Sequence, residues 1–196
     1  NKYKIYRIGK TKVYEPPYCL MRKGPDVQTY RLRAVYSEAD VIFKEAISVI
    51  KGNIDQRDIL LNITGLLNSS LYAYLNLMLG SSMGIEREQV FMNEVYQFPY
   101  VYDEKISLKV EEIQNINSSS LINGLIADTS QEMKVLDEIV LKKFELKDDP
   151  FIDYALNVKI PMLNGRRWTF DEVTIAQLKE YSSIFFDYWQ DIMSKQ

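Results

Sequence analysis

Residues 60–79 read LLNITGLLNSSLYAYLNLML, and the reading of this stretch decides the fold. It is apolar enough to raise the question of a membrane span, which needs roughly 20 predominantly apolar residues. Asn62, Asn68, Ser69, Ser70 and Asn76 interrupt it and make it a poor span. Leu60, Ile63, Leu67, Leu71, Tyr74 and Met78 recur at steps of three and four, the spacing of one face of an amphipathic helix. The pattern predicts a single helix from Gln56 to Leu79, ended by Gly80-Ser81-Ser82-Met83-Gly84.

Outward from that helix the chain changes character. Upstream, YKIYRIG, KVYEPPYCLMRK and TYRLRAVY cluster or alternate Tyr, Ile, Val and Leu between Gly and Ser punctuation, and so read as strands. ADVIFKEAISVIKG, residues 39–52, fits either a strand pair or a short helix. Downstream, IEREQVFMNEV is a short element leading into YQFPYVY. The Ser- and Asn-rich QNINSSSLINGLIADTS, Gln114 to Ser130, reads as a linker. Thr129 and Glu132 suggest a capping box for a helix through Phe144, and Asp149-Pro150 suggests N-cap and N1 of another. Thr169 with Glu172 would cap a last helix whose Leu178, Tyr181, Phe185, Trp189 and Ile192 form an apolar stripe. The expected fold class is α+β: an N-terminal mixed β-sheet domain with a packed amphipathic helix over residues 1–117, then a helical spacer or docking region over 118–196.

Composition removes several chemistries. The 196 residues contain no histidine, which rules out His-based acid–base catalysis, Ser-His-Asp triads and most zinc sites. A single cysteine, Cys19, excludes an internal disulfide and any CxxC motif, and suggests a reducing, cytoplasmic compartment. Asn at the first position suggests a piece of a longer protein. Three Asn-x-Ser/Thr triplets, at Asn62, Asn68 and Asn117, read as chance rather than as glycosylation acceptors. The net charge of −3 hides a division: residues 1–33 hold nine basic and two acidic side chains, +7, and the remainder is −10. Such a split suggests a basic face joined to an acidic body.

Glu15-Pro16-Pro17-Tyr18 is one letter from the Asp/Asn-Pro-Pro-Tyr signature of enzymes that methylate an exocyclic amine on a DNA base, where the aromatic ring stacks on the flipped base. A methyl-donor site needs a Gly-rich strand-to-helix turn on an α/β sheet. Gly9, Gly24, Gly52 and Gly65 are isolated, no βαβ alternation is visible, and Glu15 is longer than the signature residue. The Pro-Pro pair therefore reads as a structural turn.

Four features in order carry a resemblance: the PPY strand with basic Arg22-Lys23-Gly24, the Leu-Asn-Ser-Ser helix, Ser-Ser-Met-Gly-Ile-Glu-Arg-Glu, and Phe98-Pro99. Over Val13–Tyr102 the chain resembles the target-recognition (specificity) region of N6-adenine DNA methyltransferases of type I and type IIG restriction–modification systems, the TaqI-like C-terminal specificity domains. The helical tail is similar to the spacer or partner-docking helices of such proteins. The resemblance implies a bacterial cytoplasmic protein that recognises double-stranded DNA and is non-catalytic alone. It implies no cofactor in this chain, S-adenosylmethionine being bound by a catalytic methyltransferase domain of the parent chain or a partner subunit, and no membrane.

Lys10, Lys12, Arg22, Lys23, Arg31, Arg33 and Arg87 are the candidate phosphate or base contacts, with Gln28 and Tyr30 interleaved. Arg87, between Glu86 and Glu88, also fits a surface ion pair of little weight. Two other classes stand beside this one. The first is a protein-interaction module docking a partner subunit through its helical tail. The second is an enzyme, a divergent methyltransferase or a metal-dependent nuclease pairing Pro25-Asp26 with Glu145-Leu146-Lys147.

Overall fold

The computed structural model describes residues 15–26, 29–82 and 88–159. The expected first strand and the Thr169–Glu172 helix with its stripe to Ile192 lie outside them. The class is α+β. Three strands, β1 (Tyr18–Arg22), β2 (Ala34–Ser37) and β3 (Ile47–Lys51), form a sheet of order β2-β1-β3. Both pairings are antiparallel, Cys19 facing Tyr36 on one side and Ile50 on the other. The sheet expected to be mixed is thus antiparallel throughout its described strands: no helical crossover, which a neighbouring parallel pair needs, separates paired strands.

Residues 39–52 resolve into one strand and a crossing. β2 and β3 flank β1 and run the same way, so residues 38–46 travel the length of the sheet across one face. They do so over Tyr18, whose hydroxyl donates to the Ala39 carbonyl (2.6 Å) and accepts from the Val41 amide (3.1 Å), while Phe43 meets its ring edge-on. The opposite face, Cys19, Met21, Tyr36, Ala34 and Ile50, packs on the helices.

The predicted long helix is two: α1 (Arg57–Asn68) and α2 (Ser70–Leu79). Ser69 between them is extended (φ −72°, ψ 155°), and its hydroxyl donates to the Leu66 carbonyl (2.7 Å) and accepts from the Tyr72 amide (3.3 Å). The apolar period carries across this kink, which hides it from a periodicity count. α1 is the centre of the molecule, with the sheet on one side and α4 (Glu104–Ile122) on the other. Gly65 permits that approach: a Cβ there would stand 2.3 Å from Ile106 Cγ2 and 2.9 Å from Val110 Cγ2.

The expected linker is helical as far as Ile122, and the expected boundary between residues 117 and 118 falls inside α4. Its first half repeats Ile106, Val110 and Ile113 against the core, and the serines that follow are half-buried or exposed, where they do not stop a helix already formed. α5 (Ser130–Lys143) returns beside α4 and puts Leu136 and Val140 into the same core as Cys19, Leu66 and Ile106. Thr129 precedes α5 without capping it. The Asp128 carboxylate, one residue earlier, takes the Ser130 amide (3.0 Å) and hydroxyl (2.6 Å), bonds that hold its pKa below the usual carboxylate value. Asp149 and Pro150 have their predicted roles at the start of α6 (Pro150–Tyr154), Asp149 accepting from the Ile152 amide (3.0 Å).

Candidate nucleic-acid interface

Three side-chain amides hold the framework. Asn68 accepts from the Ala34 amide (2.9 Å) and donates to the Ala34 carbonyl (2.8 Å); Gln114 does the same for Tyr36 (2.9 and 3.1 Å). In β2, Val35 and Ser37 alternate with these two, so Ala34 and Tyr36 turn their backbone groups to the outer edge. The two amides occupy that edge as another strand would. Asn62 clamps the stretch before α4 in the same manner, donating to the Val101 carbonyl (2.8 Å) and accepting from the Asp103 amide (2.9 Å). Asn62 is buried and both its amide atoms are engaged, as are those of Asn68, in keeping with reading these two of the three triplets as chance.

Tyr18 of the Pro-Pro-Tyr triplet is buried beneath the 38–46 crossing, so its ring has no face for a base to stack on. Glu15 pairs with Lys51 at 3.4 Å. The only described turn from strand to helix, after β3, has one glycine. A Cβ on that glycine, Gly52, would meet Leu60 Cδ1 at 3.0 Å and Gln56 Oε1 at 3.3 Å, so it serves the close packing of the turn on α1. Of the nuclease pieces, Asp26 is paired with Arg33 and accepts from the Thr29 amide (2.8 Å), and Lys147 pairs with Glu138 (3.7 Å). Among the described residues no group of three or more His, Cys, Asp or Glu side chains is placed to hold a metal ion.

The candidate contact residues separate into two groups. Lys10, Lys12, Gln28 and Arg87 lie outside the described residues. Tyr30 is buried, with a left-handed backbone (φ 57°) that turns the chain between Asp26 and Arg31. Arg31 forks onto both oxygens of Asp137 on α5 (2.9 and 2.5 Å) and donates to the Asn68 carbonyl (2.7 Å). Asp137 in turn accepts from the Ser70 amide (2.8 Å). Among the backbone groups that the α1–α2 break leaves without helical partners are the Asn68 carbonyl and the Ser70 amide, and this ion pair fills both. Arg33 is held by Asp26.

Arg22 and Lys23 differ. Arg22 is the last residue of the central strand β1 and Lys23 follows it at one end of the sheet, the Lys23 amide donating to the Ala46 carbonyl (2.9 Å), and Lys44 lies in the adjoining turn. None of these three cations has an ion pair among the described residues. Beside them runs an open groove of about 400 Å³ lined by Arg22, Lys23, Gly24, Glu45, Glu88 and Gln89. The Val90 amide fastens its far wall to the Lys23 carbonyl (2.6 Å). At the opposite end of the sheet acids predominate: Glu38 (3.3 Å), Glu111 (2.5 Å) and Asp58 (3.6 Å) surround Arg57. Burial, followed by the bond to Glu38, pushes the Tyr36 phenol well above its ordinary value there.

A larger groove of about 760 Å³ runs from Arg31 and Arg33 along α4 to Leu121, Ile126 and Met133. Sequence reasoning passed over its far end because it read residues 114–130 as linker. Ile122 is 86% and Ile126 95% exposed at the tip between α4 and α5, in a run from Ile113 to Ala127 that carries no charge.

No protein-family model matches the chain, and no curated protein matches its sequence significantly. No helix among the described residues is long and apolar enough to cross a membrane.

Proposed function

We propose that the chain is the DNA target-recognition part of an N6-adenine DNA methyltransferase or restriction–modification protein, non-catalytic by itself. In this reading a separate domain, holding S-adenosylmethionine, methylates the adenine. The observation that carries it is the pair Arg22 and Lys23. These two cations stand without acidic partners among the described residues at one end of a sheet, on the basic side of a chain otherwise acidic. Cations so placed neutralise phosphates and give binding that weakens as salt rises. The resemblance of Val13–Tyr102 to specificity regions supports the same reading. Arg31 and Arg33 then serve the domain by shaping it. The test is double charge reversal, Arg22→Glu with Lys23→Glu, in the full chain: duplex binding at low salt falls at least tenfold, with unchanged circular dichroism and thermal midpoint. Unchanged binding overturns the assignment.

The exposed, uncharged tip between α4 and α5 favours a second reading, docking of a protein partner, since interface cores are depleted of charge. Ile122→Ser with Ile126→Ser separates the two. It leaves DNA binding intact under the first reading and abolishes partner association under the second.

A further inference from the structure

We infer that Gln89 and Asn93 are specificity-determining residues that read base edges in the major groove, adenine being the base their amides suit. The inference rests on the DNA-recognition reading and says which element does the reading. Three observations point to it. The groove next to Arg22 and Lys23 is not uniformly basic, because Glu45 and Glu88 line it too. Carboxylates inside a cleft repel a phosphate but accept from the exocyclic amines of bases. That makes the cations a clamp on the backbone and the groove a seat for a base-pair edge.

The backbone carrying Gln89 is also pinned on both sides. Its own amide donates to the Ser82 hydroxyl (3.2 Å), and the next amide, that of buried Val90, donates to Lys23 (2.6 Å). The Gln89 side chain itself is exposed in the groove wall.

The segment that follows shows amides where a solvated turn would show charge. Asn93 is exposed on α3 (Met92–Val95), and the Gln97 amide donates to its carbonyl (3.1 Å). The one acid of α3, Glu94, turns back to the Ser81 amide (3.2 Å) and hydroxyl (2.5 Å). The Gln89 amide, on a fixed backbone beside the phosphate clamp, matches the donor–acceptor pair of adenine N7 and N6, which Asn and Gln contact bidentately, and Asn93 is the next exposed side-chain amide along the same segment.

The experiment is selection of bound duplexes from a random pool by the full chain, its Gln89→Ala and Asn93→Ala variants, and Arg22→Glu/Lys23→Glu as the clamp control. Affinity for the selected site and for non-specific duplex is then measured at three salt concentrations. The amide variants are expected to lose discrimination at one adenine position each, on the order of tenfold or more. Their non-specific affinity, salt slope and thermal midpoint stay at wild-type values. Identical selected sites and preferences in wild type and both variants overturn the inference and leave the recognition reading standing. Wild-type binding that selects no site overturns the inference and leaves only non-specific binding. A wild-type chain that binds no duplex even at low salt overturns both.

Discussion

Arg31 and Arg22 are nine residues apart and carry the same charge, yet what stands within reach of each guanidinium gives them opposite roles. Arg31 satisfies one side of the α1–α2 break and Asp137 the other, and the side chains of the pair are only 21% and 15% exposed. Arg31→Ala leaves Asp137 largely buried without its counter-charge. The expected cost is roughly 2–4 kcal/mol of stability, read by urea unfolding, with little change in DNA salt slope. Removing Asp137 as well, in Arg31→Ala with Asp137→Ala, is expected to cost less than the two single losses together, whereas a double-variant loss equal to their sum would show that the pair is not coupled. Gly65 is the other residue where local and tertiary demands conflict. Gly65→Ala favours an isolated helix by about 1 kcal/mol. Here it drives a methyl into Ile106 and Val110, so thermal unfolding should show net destabilisation of about 1–2 kcal/mol. A raised midpoint would mean that α4 stands off further than described.

At the scale of elements, the apolar core decides where the domain ends. α5 contributes the fully buried Leu136 and Val140 to the core that Leu66 and Ile106 share. Leu136→Ala is therefore expected to lose about 2–5 kcal/mol. A chain cut after Ile116, inside α4, is expected to yield an aggregating or molten species rather than a smaller folded module. A cooperative unfolding transition from that fragment would contradict the single core.

The α+β class was legible because the period changes from strand-like to three-and-four at Leu60. The N-cap of α6 was legible because Asp149-Pro150 carries a local mechanism. The break at Ser69 was not, since Leu67, Leu71 and Tyr74 keep step across it. Nor was the second half of α4, whose serines and asparagines resemble a linker in composition although apolar anchors upstream hold the helix. The candidate site was half legible. Arg22 and Lys23 announced themselves by charge density, but the loss of Arg31 to α5 depends on Asp137, 106 positions away. Gln89 and Asn93, proposed above as base readers, went unnoticed beside the louder Arg87. The signal that could have found them was the run from Gln89 to Tyr102, in which amides and aromatics are broken by a single acid.

At the scale of the whole molecule, burial sets an alkaline limit on stability. Desolvation pushes the Cys19 thiol from its ordinary 9.0 up to about 12, against a smaller lowering by Thr64, and desolvation also raises the Tyr36 and Tyr72 phenols. A raised acid keeps its proton in the folded chain after the unfolded chain has released it. The contribution is whole below pH 9 and shrinks as pH climbs toward 12. Cys19 alone gives a fall of roughly 1 kcal/mol per pH unit over that window. Urea midpoints measured from pH 8 to 11 should decline accordingly, and the slope should flatten in Cys19→Ala; equal slopes in both proteins would remove Cys19 from the account.

The division of charge over the molecule underlies the proposal that an acidic protein binds DNA through one basic end of its sheet. The most direct measurement is fluorescence anisotropy of the full chain on a pooled random duplex, titrated with salt. Binding is expected at low salt, its logarithm falling linearly with the logarithm of salt concentration, with a slope of several phosphates' worth of released counterions. In the Arg22→Glu/Lys23→Glu variant that slope becomes shallower by about two. Absence of binding at low salt, or a slope unchanged by the charge reversal, would contradict it.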